Sequence, residues 1–523
     1  MNAPAPPGAP WWQQGVVYQV YPRSFQDADG DGVGDLPGVT SRLDHLVTLG
    51  VDAIWLSPIF RSPMRDFGYD VADYRDVDPV FGTLDDLDRL VAEAHGRGLR
   101  VVLDFVPNHT SSLHPWFEDA RLARAALHRD WYVWRDPAPD GGPPNDLAAA
   151  FGGSAWTYDE ATGQYWYHSF LPEQPDLDWR NPAVRDEMLD TLRFWFQRGI
   201  DGFRIDVLWM IAKDDAPWRD GPITSAPTGT GTDPRQALEH GDGPDMDARL
   251  AELRAVADAY RERLLIGEVY LPPERLVRYH GAGDRGVHLP FNTELITRPW
   301  TAESVRRAVQ TYETALAGTA WPSWVLGNHD QARVASRIGA AQARVAAMLL
   351  LTLRGTPIVY GGDELGLPDV PVPPGRVVDV AGRDPQRSPM PWTAGPTGGF
   401  TSGEPWLPMT DQPGTYSVQA QLADPRSMLS LHRRLLALRR GEPALHAGSW
   451  ADVEAPEAVV AFDRAAAGAR FRVLLNLGDE PVEIPLDGGW RVALSTGLDR
   501  ADGEPVTRTA SLRGDEGLLL REA

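Results

Sequence analysis

Cysteine is absent from the 523 residues, which excludes disulfides, thiolate metal sites and thiol nucleophiles. Basic residues are scarce: 50 Lys and Arg against 73 Asp and Glu leave a net charge of −23. With no basic block either, nucleic acid and anionic membrane surfaces are not expected partners. No apolar run approaches the ~18 residues of a membrane span. The opening "MNAPAPPGAPWW" lacks both a basic start and an apolar core, so it does not read as a signal peptide and the expected location is the cytoplasm. What is present is an ordinary globular composition, 42% hydrophobic and 24% charged, long enough for about three domains. The 19 Trp are many; most serve a core, and aromatic faces also suit the apolar faces of sugars.

One pattern recurs: a helix-like segment, a glycine, then an apolar strand. It is seen in "LGVDAIWLSP", "RGLRVVLDFVPNH" and "RGIDGFRIDV". Before the third, Asn181 caps, Pro182 fits the first turn, and Val184, Met188, Leu189, Leu192, Trp195 and Phe196 share one apolar face, with Gly199 as the stop. Further strands read as "LLIGEVY", "WVLGNHD" and "PIVYGGDE". Helix alternating with apolar strand predicts a parallel sheet covered by helices. Gly50 to Gly98 spans 48 residues but Gly98 to Gly199 spans 101, so an inserted small domain is expected over residues 110–175. The main helix-and-strand unit then comprises 1–109 and 176–445. Long loops are expected at 219–246 and 368–410, beyond strand C-termini, where such loops are usually functional. From about residue 446 to 523, short strand-like runs ("AVVAFDR", "FRVLLNL", "PVEIPL", "WRVALS", "GLLLRE") predict an antiparallel β-sandwich.

The segment "GFRIDVLWM" places Arg204 and Asp206 on one side of an apolar strand. Burying such a pair is costly and often brings no net stability, so its neighbours decide its meaning. "DFVPNH", "GFRIDV", "GEVY" and "GNHD" all end predicted strands in polar groups, at the rim where parallel barrels place their active sites. These four segments, in this order, resemble the signature segments of the α-amylase superfamily of glycoside hydrolases. "DFGYDVADY" and "GRDPQRSPMPW" resemble its α-glucosidase and oligo-1,6-glucosidase branch.

The resemblance covers essentially the whole chain. It implies an α/β fold: a (β/α)8 TIM barrel with an insertion after strand 3 and a C-terminal β-sandwich. It implies Asp206 as nucleophile, Glu268 as general acid/base and Asp330 as the third carboxylate, a retaining pair working through a covalent glucosyl-enzyme. On this reading Arg204 holds Asp206 charged and aimed. Glu268 starts protonated, favoured by the apolar "LLIG" before it and by neighbouring carboxylates. His109 and His329 resemble donors to sugar hydroxyls, Tyr69 the aromatic platform and Phe151 an aromatic wall. Asp66, paired with Arg387, resembles a lock on the terminal sugar. The implied activity is exo-acting release of glucose from maltose-type oligosaccharides. Val207 resembles the valine of members that accept α-1,6 links, and sucrose and trehalose stay open. A glucosyltransferase or isomerase using the same intermediate is the alternative; a non-catalytic binding subunit is the remote one, since all three acids are present.

"DADGDGVGD" sets Asp27, Asp29, Asp31, the Val33 carbonyl and Asp35 at alternate positions. That donor set suits a hard cation, Ca²⁺ with Mg²⁺ as the alternative, in a structural role. Gly38 at the twelfth position sets it apart from an EF-hand. The expected partner is a small oligosaccharide or disaccharide.

Overall fold

The computed structural model describes residues 8–221, 240–281, 283, 285–316 and 320–523. Eight parallel strands form one sheet: β1 (Val17–Val20), β2 (Ala53–Leu56), β3 (Arg100–Phe105), β4 (Gly202–Ile205), β5 (Leu264–Glu268), β6 (Leu289–Phe291), β7 (Ser323–Val325) and β8 (Thr356–Tyr360). Their spatial order is 6-5-4-3-2-1-8-7, so the ring is laddered everywhere except between β6 and β7. There Ser323 Oγ donates to the Pro290 carbonyl at 2.5 Å. Pro290 has no N–H to give, and a proline in a sheet belongs at such an unpaired edge.

The strands are buried almost without alternation, as a sheet covered on both faces requires. Outward residues such as Ile54, Leu103 and Phe203 join the main core under the helices. Inward ones such as Val17, Trp55, Val102 and Ile266 fill the barrel. The helix Pro182–Gln197 begins as expected: the Asn181 side chain accepts from Ala183 N–H. Gly199 follows at φ 97°, where glycine pays no Cβ penalty. Val334–Thr352 is long and apolar enough by composition to cross a bilayer, but Val345, Leu349 and Leu351 lie in the main core.

Between β3 and that helix, the chain forms a small unit with a three-stranded antiparallel sheet of Trp134–Arg135, Gln164–Tyr167 and Trp156–Asp159. It has its own core of Val133, Leu147, Trp156 and Tyr167. Most of the 219–246 loop lies outside the described residues. The segment 368–410 runs over the rim in short 3₁₀ turns.

The C-terminal strands are β9 (Ser449–Asp452), β10 (Val459–Ala466), β11 (Ala469–Asn476), β12 (Val482–Ser495), β13 (Pro505–Leu512) and β14 (Gly517–Glu522). They form one antiparallel sheet in the order 9-10-11-14-12-13. One face, with Phe462, Phe471 and Val473, packs into the main core; the other encloses Leu474, Trp490 and Leu518. "PVEIPL" and "WRVALS" prove to be one strand, β12, with a register shift between Pro485 and Gly489. β13 escaped the sequence reading because it is a polar, largely exposed edge strand, where apolar alternation is weak.

Candidate active site

The three acids predicted from the sequence meet at the C-terminal ends of their strands. Asp206 directly follows β4 and Glu268 closes β5, while Asp330 lies in the turn after β7. All three line a cavity of about 300 Å³ together with Asp66, Tyr69, His109 and Phe151. This is the small end of the range for ligand pockets.

Arg204 organises the floor. Its Nη1 donates to Asp206 Oδ1 and to Asp104 Oδ1, each at 2.8 Å, and its Nη2 forms an ion pair with Glu268 Oε2 at 2.8 Å. The Arg204–Asp206 pairing read from "GFRID" is therefore present, but its expected electrostatic result is not. One guanidinium is shared among three buried carboxylates. Burial pushes the Asp206 carboxyl well above the usual range; Arg204 pulls it down, while Glu268 and Asp104 push it further up. Burial likewise lifts Asp104 to about 6, against Arg204. Buried carboxylates competing for one cation oppose ionisation, and this falls on Asp206 and Asp104.

Behind it runs an ordered relay. Gln19 Nε2 donates to His329 Nδ1 at 2.8 Å, which leaves His329 Nε2–H for the Tyr69 hydroxyl at 2.8 Å. Tyr69 O–H then donates to Asp104 Oδ2 at 3.1 Å. Burial lowers His329 to about 3, so it is neutral, in the tautomer this chain of bonds requires. His109 is also lowered by burial and sits against the Tyr69 carbonyl at 3.0 Å.

Asp330 behaves oppositely to Asp206. Burial opposes its ionisation, but His329, Arg383 and Arg387 outweigh it and hold the carboxyl well below the usual range. With His329 neutral, the two guanidiniums carry that effect at neutral pH: Arg387 Nη2 at 3.0 Å and Arg383 Nη1 at 3.1 Å.

The pairing of Asp66 with Arg387 is corrected. Asp66 Oδ1 binds Arg383 Nη2 at 2.5 Å, and Gln174 Nε2 donates to its Oδ2 at 3.0 Å. Arg387 is completely buried, one layer back, holding Asp330 and donating through Nε to the His329 carbonyl at 2.9 Å. Arg383 stands in front, gripped on both sides by Asp379 (2.7 and 3.0 Å), with its guanidinium 5.3 Å from the Phe151 ring centre. Both arginines belong to "GRDPQRSPMPW", so the motif was legible. Arg383 lies before the 3₁₀ turn Pro385–Arg387 and Arg387 closes it; only the folded chain shows which of the two reaches the pocket. Asp104, Gln174 and Arg383 are thus site residues that the sequence reading left out.

Lys213 was also missed. It is buried, and its Nζ binds Asp176 Oδ2 at 3.0 Å, Asn108 Oδ1 at 2.8 Å and the Met210 carbonyl at 2.9 Å. It ties the end of the insertion to the β3 and β4 termini. Replacing it by Met leaves the buried Asp176 carboxylate without its cation. We expect a loss of about 3–5 kcal/mol, read as a lower thermal midpoint in calorimetry.

Of the proposed cation ligands, Asp27, Asp29 and Asp35 place oxygens within 4.8 Å of one another. Asp31 stands outside that group; its Oδ1 accepts from Val33 N–H at 2.8 Å. The converging set is all hard oxygen, as Ca²⁺ or Mg²⁺ requires. Asp27 also accepts from Gly30 N–H at 2.7 Å and Gly32 N–H at 2.9 Å, and Asp35 from Gly38 N–H at 2.6 Å.

Carboxylates on the C-terminal rim of a parallel near-barrel, one pair sharing a guanidinium, define a glycosidase-type site on a (β/α)8 enzyme. The α-amylase catalytic-domain family model matches residues 19–448, and a C-terminal domain of unknown function, DUF3459, matches 447–519. The chain belongs to the α-amylase family of glycoside hydrolases. A probable α-glucosidase of Rhizobium meliloti (strain 1021) is 42% identical, over 92% of each chain. An oligo-1,6-glucosidase of Heyndrickxia coagulans is 35% identical, over 92% of this chain and 95% of its own. Among solved structures, an α-glucosyl transfer enzyme, XgtA, superposes with a TM-score of 0.91 at 39% identity, covering 98% of this chain and 100% of its own. The trehalulose synthase MutB of Pseudomonas mesoacidophila MX-45 does so with 0.90 at 32%, with the same coverage.

Proposed function

We propose that this enzyme is a retaining, exo-acting α-glucosidase that releases glucose from the non-reducing end of short α-glucosides. Maltose-type oligosaccharides are the main substrates; α-1,6 links and sucrose are also accepted. The observation that carries this is the Asp66–Arg383–Asp330 chain of ion pairs, at 2.5 and 3.1 Å, across one end of the cavity. Charge-paired hydrogen-bonding groups there suit the hydroxyls of a terminal sugar and leave no passage for further units. In this reading an Asp206 carboxylate oxygen attacks the anomeric carbon as Glu268 protonates the departing oxygen. Glu268 then takes a proton from the incoming water as the glucosyl ester is cleaved. Tyr69 and His109 orient the ring, and Asp330 stabilises the developing positive charge. Glucose release from maltose is expected to exceed internal cleavage of soluble starch by at least about 100-fold; comparable rates would refute the exo assignment.

Likeness to an α-glucosyl transfer enzyme and to a trehalulose synthase supports a second reading, in which a sugar rather than water takes the glucosyl group. Product profiles from maltose, isomaltose, sucrose and trehalose separate the two: free glucose for hydrolysis, new oligosaccharides or isomers for transfer. We further propose that Asp27, Asp29 and Asp35 hold Ca²⁺, with Mg²⁺ as the alternative, to stabilise the loop after β1. Chelation is then expected to lower the thermal midpoint without directly touching the chemistry. An unchanged midpoint, with no metal by elemental analysis, would refute it.

A further inference from the structure

Val207, the residue after Asp206, lies in the left-handed region at φ 35° and ψ 47°. For a β-branched residue this is a genuine outlier, and such strain persists where the surroundings over-determine it, often at functional sites. The surroundings here are specific. Asp206 N–H is fixed to the Phe105 carbonyl at 2.8 Å. The Val207 carbonyl is fixed by Met210 N–H at 2.8 Å, so the strand breaks sharply into the 3₁₀ turn Leu208–Met210. The Leu208 side chain is seated against Gly267: a Cβ on that glycine would meet Leu208 Cδ2 at 2.4 Å and Val287 Cγ2 at 3.1 Å. What the sharp turn achieves is to direct Val207 N–H at Glu268 Oε2, 2.9 Å away and buried. Arg204 Nη2 forms an ion pair with that same oxygen at 2.8 Å.

We propose that the left-handed turn at Val207 makes its backbone N–H a positioning group for Glu268, dividing the carboxyl between an anchored Oε2 and an Oε1 that carries the transferable proton. The Val207 donor and the Arg204 positive charge on Oε2 disfavour a proton there. They also fix the carboxyl plane, so that Oε1 meets the leaving oxygen without a search over rotamers. The strain at Val207 is then the cost of linking the nucleophile strand to the acid strand through one peptide group. This role rests on the assignment of Glu268 as acid/base.

The test removes the N–H alone, by replacing Val207 with its α-hydroxy acid so that an ester stands in the chain. A positioning role in proton donation is felt only when the leaving group needs a proton. We expect kcat/KM for maltose to fall at least about tenfold, while kcat/KM for α-glucosyl fluoride, whose leaving group departs unassisted, changes less than about twofold. Equal losses on the two substrates, or none, would overturn the proposal. Should the ester protein fail to fold, a neutron structure of the wild-type enzyme decides it: a deuteron on Glu268 Oε1 supports the division of labour, and one on Oε2 overturns it. Glu268→Gln separates this from the underlying assignment. If that variant keeps full maltose turnover, the acid/base role itself fails; if it loses maltose turnover but keeps kcat/KM for the fluoride, whose glycosylation step needs no acid, the acid/base role stands and the Val207 result is judged by itself.

Discussion

Asp206→Asn is expected to lower kcat for maltose by about 10⁴-fold or more, because the amide cannot form the covalent intermediate and little of the rate survives loss of a nucleophile. The same change is expected to stabilise the fold. Burial raises the Asp206 carboxyl well above its usual range, against the pull of Arg204. A carboxyl raised in the folded state ionises first in the unfolded chain, so wild-type stability falls as pH rises through the ordinary carboxylate range. Asn removes that loss. The thermal midpoint of Asp206→Asn should therefore exceed that of wild type at pH 7, and the gap should narrow as the pH is lowered towards 4. Loss of both activity and stability at pH 7 would mean that Asp206 is chiefly a structural partner of Arg204. Retained activity would remove it from the chemistry.

Arg383→Ala is expected to have the second largest effect. The side chain meets Asp66, Asp330 and Asp379 at 2.5, 3.1 and 2.7 Å. Without it Asp330 keeps Arg387 at 3.0 Å, whereas Asp66 keeps, among the described residues, the neutral Gln174. Truncating one partner of a buried, hydrogen-bonded charge pair costs roughly 2–5 kcal/mol, so kcat/KM for maltose should fall on the order of 10²–10³-fold. The preference for maltose over longer chains should narrow as the closed end opens. Arg383→Lys should recover only part of this, because an ammonium cannot span the carboxylates as the planar fork does. Wild-type kcat/KM in Arg383→Ala would show that another group closes the pocket.

Both predictions turn on features that differ in how far the sequence reveals them. The barrel strands that carry the acids were legible because strands buried on both faces read as continuous apolar runs, so a charge at their ends stands out. Arg204, Asp206 and Glu268 declare themselves in this way. The helix Pro182–Gln197 was equally legible, since its cap, its apolar face and its glycine stop are all local. β6 was not: it is three residues long and contains a proline, too little for any periodicity. β13 was lost for a different reason: it is a polar, largely exposed edge strand without apolar alternation.

The alternating helices and apolar strands with polar ends, and the C-terminal run of short strands, were legible in the amino-acid sequence alone, because residue type at a strand end and apolar periodicity are local properties; the roles of Asp206, Glu268 and Asp330 and the closed barrel came from the resemblance of those segments to the α-amylase family. Only the tertiary structure decided that Arg383 rather than Arg387 meets Asp66, that Lys213 pins the insertion, and that one guanidinium serves three carboxylates. Each of these depends on the distance between groups far apart in the chain: Arg383 and Asp66 are 317 residues apart, and Arg204 and Asp104 are 100 apart. Coulomb energies and hydrogen bonds are set by ångströms in space, and the folded backbone alone supplies those.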